Sequence, residues 1–254
     1  MPTRAIVIST AVLFATASAV LQAQRPAAGD PVITELREIK ELLRVLVTRT
    51  QAAPAAQPSP VAMVPVAPVS IAGAPTKGNA DAALVVIEYA DFECPYCGDF
   101  ARRTLPVLSQ QYIATGRVRL AFKHLPLTEI HPRAMMAAIA AECGGQQGKF
   151  WVMHDSLFND QQHLDDVSLL AAAKATGIDL DRFRACVQGP GGIKVRQDAA
   201  RARSDGYSGT PTFLIGRNQG GDLVKVERVI SGTRDAAAFG AIFDDMLAAS
   251  QAAQ

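Results

Sequence analysis

The sequence predicts an α/β domain with an inserted helical subdomain, preceded by a separate N-terminal helix and an Ala/Pro-rich linker. Three observations lead to this reading. Leu84-Val85-Val86-Ile87 is a β-branched run of the kind a strand buried on both faces shows. Cys94-Pro95-Tyr96-Cys97 follows at a strand-to-helix junction, with Phe100, Leu105, Val107 and Leu108 at roughly helical spacing across 99–111. A block of helical segments then separates a second strand from two later ones, giving the order strand, helix, strand, helical block, strand, strand, helix.

Bulk composition bounds the answer. The 254 residues are 49% apolar and 19% charged, enough for one domain of ordinary size plus appendages. A net charge of +1 without long single-sign runs gives no electrostatic case for nucleic acid as a partner. The four cysteines are few for a disulfide scaffold, but their even number permits two bridges in an oxidising compartment.

Along the chain, residues 1–23 read as a signal peptide: Arg4, an apolar run over 5–14, then small residues over 15–19, with cleavage after Ala19 or Ala23. An uncleaved anchor is the alternative. The pattern implies export, with the periplasm as the favoured location. Over 31–50, Val32, Leu36, Ile39, Leu43 and Leu46 recur at spacings of four, three, four and three, forming a heptad seam. A helix this short is marginal alone in water. The expectation is a homo-oligomer through residues 32–46, the alternative a helix docked on its own catalytic domain. Residues 51–68 carry Pro54, Pro58, Pro60, Pro65 and Pro68 and form a semi-rigid linker.

The main domain covers 69–250. It opens with a short edge strand at 69–72 and a turn over 75–79 before the central strand. After Gly116 a strand alternates over 118–122. Helices are expected at 132–143, 149–158, 167–176 and 180–187 within an insertion over about 126–189. A further helix at 195–203, strands at 208–215 and 224–230, and a closing helix complete it. Ser231-Gly232-Thr233 supplies the start signals of that helix, and Phe239, Ile242, Phe243, Met246 and Leu247 its apolar face.

The chemistry centres on Cys94 and Cys97. Pro95 suits the first helical position, which makes Cys94 the N-cap with its sulfur beside unpaired N–H groups. Such a setting lowers a cysteine pKa from about 8.5 toward roughly 3.5 to 7.5, and the thiolate is the nucleophile. Cys94 is therefore expected to attack and Cys97 to resolve. The competing readings are half a zinc site and a structural bridge, but no second Cys pair or Cys/His pair completes a tetrahedral shell. No cofactor and no resident metal are expected. His124, His131, His154 and His163 lack ligand spacing, and His154 among Phe150, Trp151, Leu157 and Phe158 reads as a packed helix residue. Lys194, Arg196, Arg201 and Arg203 read as a solvated helix face.

Three motifs in order carry a family resemblance: residues 88–97, Glu88 to Cys97; Gly148-Lys149-Phe150-Trp151 with Met153-His154-Asp155; and Gly209-Thr210-Pro211-Thr212-Phe213. Over roughly 69–248 the chain resembles the DsbA-like branch of thioredoxin-fold thiol–disulfide oxidoreductases. The resemblance implies a thioredoxin-like fold and a protein disulfide oxidoreductase that works on reduced or misfolded exported clients and is reset by a membrane redox partner. It implies a cis Pro211 against the active site, with the Thr210 backbone free to pair with an extended substrate. It also places an acidic residue, Glu88, beneath the site, where burial should raise its pKa and let it pass protons to or from Cys97. An ordinary trans proline and an outward-facing glutamate are the alternatives.

One departure matters: the middle dipeptide is Pro95-Tyr96, without the histidine of the strongly oxidising members. Pro-Tyr is the dipeptide of glutaredoxins, at roughly −200 to −230 mV, so an oxidant of intermediate strength is expected rather than one at about −120 mV. Cys143 and Cys186 lie in the inserted helices and are expected to form a structural disulfide, with two buried thiols as the alternative. Within the enzyme reading, oxidase and oligomeric isomerase or reductase remain open. A protein holding a soft ion such as Cu(I) between Cys94 and Cys97 is the reading from another class.

Overall fold

A computed structural model describes residues 31–51 and 64–251; the signal segment at 1–23 and most of the linker at 51–68 lie outside them. The chain divides into two compact units, Met1–Pro58 and Ser59–Gln254. In the first, Pro31–Gln51 forms helix α1, entered through a proline whose missing N–H costs nothing there. Its seam residues Leu36, Ile39 and Leu43 are 59%, 51% and 55% exposed.

The second unit is built on a six-stranded sheet of order β1-β6-β5-β3-β4-β2. The strands are β1 Val69–Ser70, β2 Thr76–Lys77, β3 Leu84–Ala90, β4 Val118–His124, β5 Thr212–Asn218 and β6 Leu223–Ser231. Strand β3 lies inside, parallel to β4 and antiparallel to β5, and all seven of its residues are buried. A strand covered on both faces needs apolar residues at successive positions, which the run from Leu84 supplies. Alternation then sorts the layers. Leu84 and Val86 pack with Phe100, Leu105, Phe239 and Phe243 on one face, while Val85, Ile87 and Tyr89 pack with Ala199 and Ala202 on the other.

The helices are α2 over residues 95–113, α3 Ala134–Gly145, α4 Phe150–Asn159, α5 Asp166–Ala175, α6 Leu180–Gln188, α7 Gly192–Ser204 and α8 Ala236–Gln251. Helices α3 to α6 form the inserted subdomain, with a core of their own that reaches Phe92, Cys97 and Phe122. Cys143 of α3 and Cys186 of α6 are joined by a disulfide, Cα atoms 5.7 Å apart. Gly191 passes so close that a Cβ there would stand 2.6 Å from Cys143 Sγ.

Four local expectations need correction. Helix α2 is not regular: Leu105 N–H bonds to Phe100 O, five residues back, because Pro106 lacks an N–H and its ring crowds the preceding turn. The wider turn shifts the apolar phase, which leaves Val107 38% exposed. The segment expected as a turn over 75–79 contains β2, with Thr76 opposite Ala121 and Lys77 opposite Leu120. The closing helix starts at Ala236 rather than beside Ser231-Gly232-Thr233: Ser231 still belongs to β6, and Asp235 Oδ1 caps by accepting from Ala238 N–H at 2.8 Å. The basic face on α7 is not merely solvated. Lys194 Nζ pairs with buried Asp198 at 2.7 Å, and Lys123 reaches the same carboxylate at 3.4 Å.

Candidate functional site

The loop that leaves β3 is folded by Asp91. Its buried carboxylate accepts from Glu93 N–H and Leu127 N–H, each at 2.8 Å, and pairs with His131 Nδ1 at 2.8 Å, while Asp91 O accepts Cys94 N–H at 3.2 Å. Glu93 in turn accepts Arg133 N–H at 2.7 Å. These bonds deliver Cys94 to the N-cap of α2 in extended backbone geometry, with Pro95 as the first helical residue and Cys97 one turn in.

The two thiols, both free, differ sharply. Cys94 Sγ donates to Thr210 O at 3.4 Å. It makes no capping hydrogen bond as a thiol, yet its pKa is lowered to about 6, above all because Cys97 donates to the thiolate. Burial opposes this, and the Thr210 hydroxyl, with the N–H groups of Cys97 and Tyr96, adds to it. Cys97 is fully buried, and burial first, then its bond to Cys94, pushes its pKa well above the usual thiol value. A thiolate one turn from a retained thiol is the arrangement in which one sulfur attacks and the other holds a proton in reserve.

Around the pair, the structure gathers every other residue singled out for the site. The Thr210–Pro211 peptide bond is cis. Thr210 Oγ1 is buried, with the Cys94 sulfur as the group it can serve, and Tyr96 projects outward, 64% exposed. Glu88 is fully buried, and alternation along β3 puts it on the face toward α2. Neither of its oxygens is hydrogen-bonded. Burial raises its pKa to about 8, offset in part by Lys77, and its charge in turn raises the pKa of Cys97. Lys77 itself lies over the Trp151 ring, 4.5 Å from the centroid.

Sequence reasoning missed the residues that hold the site in place. Asp91, a carboxylate between a buried strand and a Cys pair, carried a readable signal. His131, Arg133, Gln161 and Arg102 carried none, since each acts on a partner dozens of residues away. Gln161, after α4, donates through Nε2 to Phe92 O and Cys94 O, both at 2.8 Å. Two of the four histidines are packed: His124 Nε2 meets Glu142 at 2.8 Å, His154 Nδ1 meets Asp155 at 2.7 Å, and both rings lie in the cluster of Phe92, Phe122, Phe150 and Trp151. Among the described residues no group of three or more His, Cys, Asp or Glu is placed to hold a metal ion.

Comparison with known proteins bears on the family and the fold. Residues 72–231, more than half of the chain, match the family described as Thioredoxin. The Na(+)/H(+) antiporter NhaA 3 of Salinispora tropica is 43% identical over 140 residues, 55% of this chain and 21% of that protein. The chain thus spans about a fifth to a quarter of the length of the curated relatives it matches. Among its described residues no helix is long and apolar enough to cross a membrane. Among solved structures, alpha-DsbA1 of Wolbachia pipientis is 26% identical with a TM-score of 0.60, covering 68% of this chain and 90% of that one. BdbD of Bacillus subtilis, in its oxidised form, is 23% identical with a TM-score of 0.60, covering 73% and 98%.

Proposed function

The chain belongs to the DsbA-like thiol–disulfide oxidoreductases of the thioredoxin superfamily, and on that premise we propose that it is exported and exchanges disulfides with client proteins through Cys94 and Cys97. The observation that carries the proposal is the asymmetry of the pair: Cys94 lies at the helix N-terminus against Thr210 O, Cys97 lies behind it in the core.

In the oxidising direction a client thiolate attacks Cys94 Sγ of the Cys94–Cys97 disulfide. The S–S bond breaks, Cys97 leaves as a thiolate, and a mixed disulfide joins Cys94 to the client. Buried Glu88, neutral below about pH 8, is the proton source for Cys97. A second client thiolate then attacks the client's sulfur and releases Cys94 as a thiolate, which its setting stabilises. The client has lost two electrons and the site has gained them; a membrane redox partner takes them to reset the site. Extended client backbone lies against Thr210 in the manner of an added strand. With Tyr96 in place of a cationic neighbour, the oxidant is of intermediate strength.

The exposed seam on α1 favours a second reading within the same chemistry, an oligomeric isomerase or reductase. Leu36, Ile39 and Leu43 occupy heptad core positions, and Glu35 and Lys40 flank them where a parallel neighbour would present the complementary charge. The partner is a second copy of this chain through residues 32–46, presenting several active sites around one client.

Scrambled and reduced ribonuclease, each incubated with wild type and with Cys94→Ser, test both readings. Recovery from scrambled substrate supports isomerase, and recovery only from reduced substrate supports oxidase. No recovery from either, together with stoichiometric Cu(I) binding, overturns the enzyme reading. Sedimentation of the full chain beside one lacking residues 31–51 tests the seam: a monomer in both removes the oligomer.

A further inference from the structure

Gln161 comes from the inserted subdomain, yet its side chain ends on the backbone of the Cys94 loop. Nε2 bridges Phe92 O and Cys94 O, both at 2.8 Å, and Oε1 accepts from Arg102 Nη1 at 3.0 Å. The same Arg102 nitrogen donates to Phe158 O at the end of α4. The amide orientation is therefore forced: only its oxygen can face the guanidinium, so its two N–H groups must face the carbonyls. Space for the contact exists because residue 98 is glycine, where any Cβ would collide with Gln161 Oε1 and with Arg102 Nη1.

The two carbonyls are not incidental. Phe92 is fully buried, so its C=O has no solvent to turn to. Cys94 O already accepts Gly98 N–H at 3.1 Å, the bond that opens α2. A donor on that oxygen fixes the peptide plane between Cys94 and Pro95, and with it the direction in which the Cys94 side chain leaves.

We infer that Gln161 is a positioning residue for disulfide exchange: aimed by Arg102, its amide ties the carbonyls of Phe92 and Cys94 to the inserted subdomain and thereby fixes Cys94 Sγ between the α2 N-terminus and Thr210 O. This rests on the exchange function proposed above. It makes the subdomain part of the redox site rather than a lid over it, and it gives Arg102 a role one residue removed from the chemistry.

The test uses the full reduced chain and two variants. Gln161→Glu keeps the size and the Arg102 contact but cannot donate to either carbonyl. Gln161→Met keeps the size and loses both contacts. Thiolate absorbance at 240 nm against pH reports Cys94, equilibrium with glutathione reports the potential, and urea unfolding of oxidised and reduced forms reports stability. Both variants should raise the Cys94 midpoint by about one unit, a tenfold change in the thiolate equilibrium, and shift the glutathione equilibrium about tenfold toward the disulfide. Destabilisation should be larger in the reduced form. Arg102→Leu, which leaves Gln161 unaimed, should move the midpoint in the same direction and serves if a Gln161 variant does not fold. Equal destabilisation of both redox forms with an unchanged midpoint and potential overturns the inference while leaving the exchange function standing. Wild type that neither exchanges with glutathione nor titrates below an ordinary thiol removes the function and the inference together.

Discussion

Replacing Glu88 with leucine should stabilise the protein by an amount that depends on pH. The carboxyl is fully buried in β3 with neither oxygen hydrogen-bonded, and burial raises its pKa from 4.5 to about 8 against a smaller opposing pull from Lys77. Between those values the folded chain keeps a proton on Glu88 that the unfolded chain has released. The folded state then binds more protons than the unfolded one, so wild-type stability falls as pH rises through that window. At about 1.4 kcal/mol per unit the penalty reaches about 3 kcal/mol at pH 7 and levels off near about 5 kcal/mol above the folded pKa. The assay is urea unfolding between about pH 5 and 9 in a Cys94→Ser/Cys97→Ser background, so that neither active-site sulfur titrates in the same range. Glu88→Gln serves as the isosteric control: burying an amide adds a constant offset, so only its pH dependence is compared. The stability lead of both variants over the parent should widen steadily from the acid end to about pH 8 and then stay constant. A lead that is flat in pH, or one that narrows as pH rises, would show that Glu88 ionises like an ordinary carboxylate and would end its candidacy as proton source for Cys97.

Three further outcomes are expected. Alkylation of the reduced protein at Cys94 should rise with pH to a midpoint near the lowered pKa of about 6 and be flat above it, while Cys97 stays unmodified at neutral pH; mass mapping after a short iodoacetamide pulse reads both. A Cys143→Ser/Cys186→Ser variant should lose on the order of 4 kcal/mol, the chain-entropy value for a sequence separation of 43, with the Cys94 titration unchanged. Gly216→Ala should cost about 1 to 3 kcal/mol in chemical unfolding, since a Cβ there would collide with Lys225 O on β6, where backbone atoms cannot step aside.

What could be read from the sequence was what lies close along the chain. A strand that is apolar at every position announces burial on both faces, so β3 and the cost of placing Glu88 inside it were visible together. Two cysteines flanking a proline after such a strand fix a helix N-terminus by local sterics alone. Elements whose existence depends on a distant partner were not visible. Strand β2 is two residues that become a strand because β4 lies beside them. Asp235 outcompeted Ser231-Gly232-Thr233 as a cap because β6 runs on through Ser231. Pro106 signalled a disturbance in α2, but not that the helix would widen by one residue and turn Val107 outward. In the site, Cys94, Cys97 and Glu88 were legible. The bonds that orient them, from Leu127, His131, Arg133 and Gln161, span 36 to 69 residues, and no periodicity or local motif encodes a meeting at that range.

The sheet's outer strands carry a consequence of their own. If the proposed function holds, unfolded clients would readily stack onto any open row of backbone N–H and C=O groups. On one side β4 is covered by two-residue β2 and by Pro75 O, which accepts Phe122 N–H at 2.9 Å. On the other, β1 covers only Val224 and Leu223 of β6. Beyond them β6 carries Lys225, Glu227 and Arg228, the latter two tied down to Arg217 and Asp245. Neither border offers a long, flat, uncharged length of strand. Under the proposed function, a border of this kind gives an extended client little to stack on, and the Thr210 backbone beside Cys94 Sγ is the place left for it.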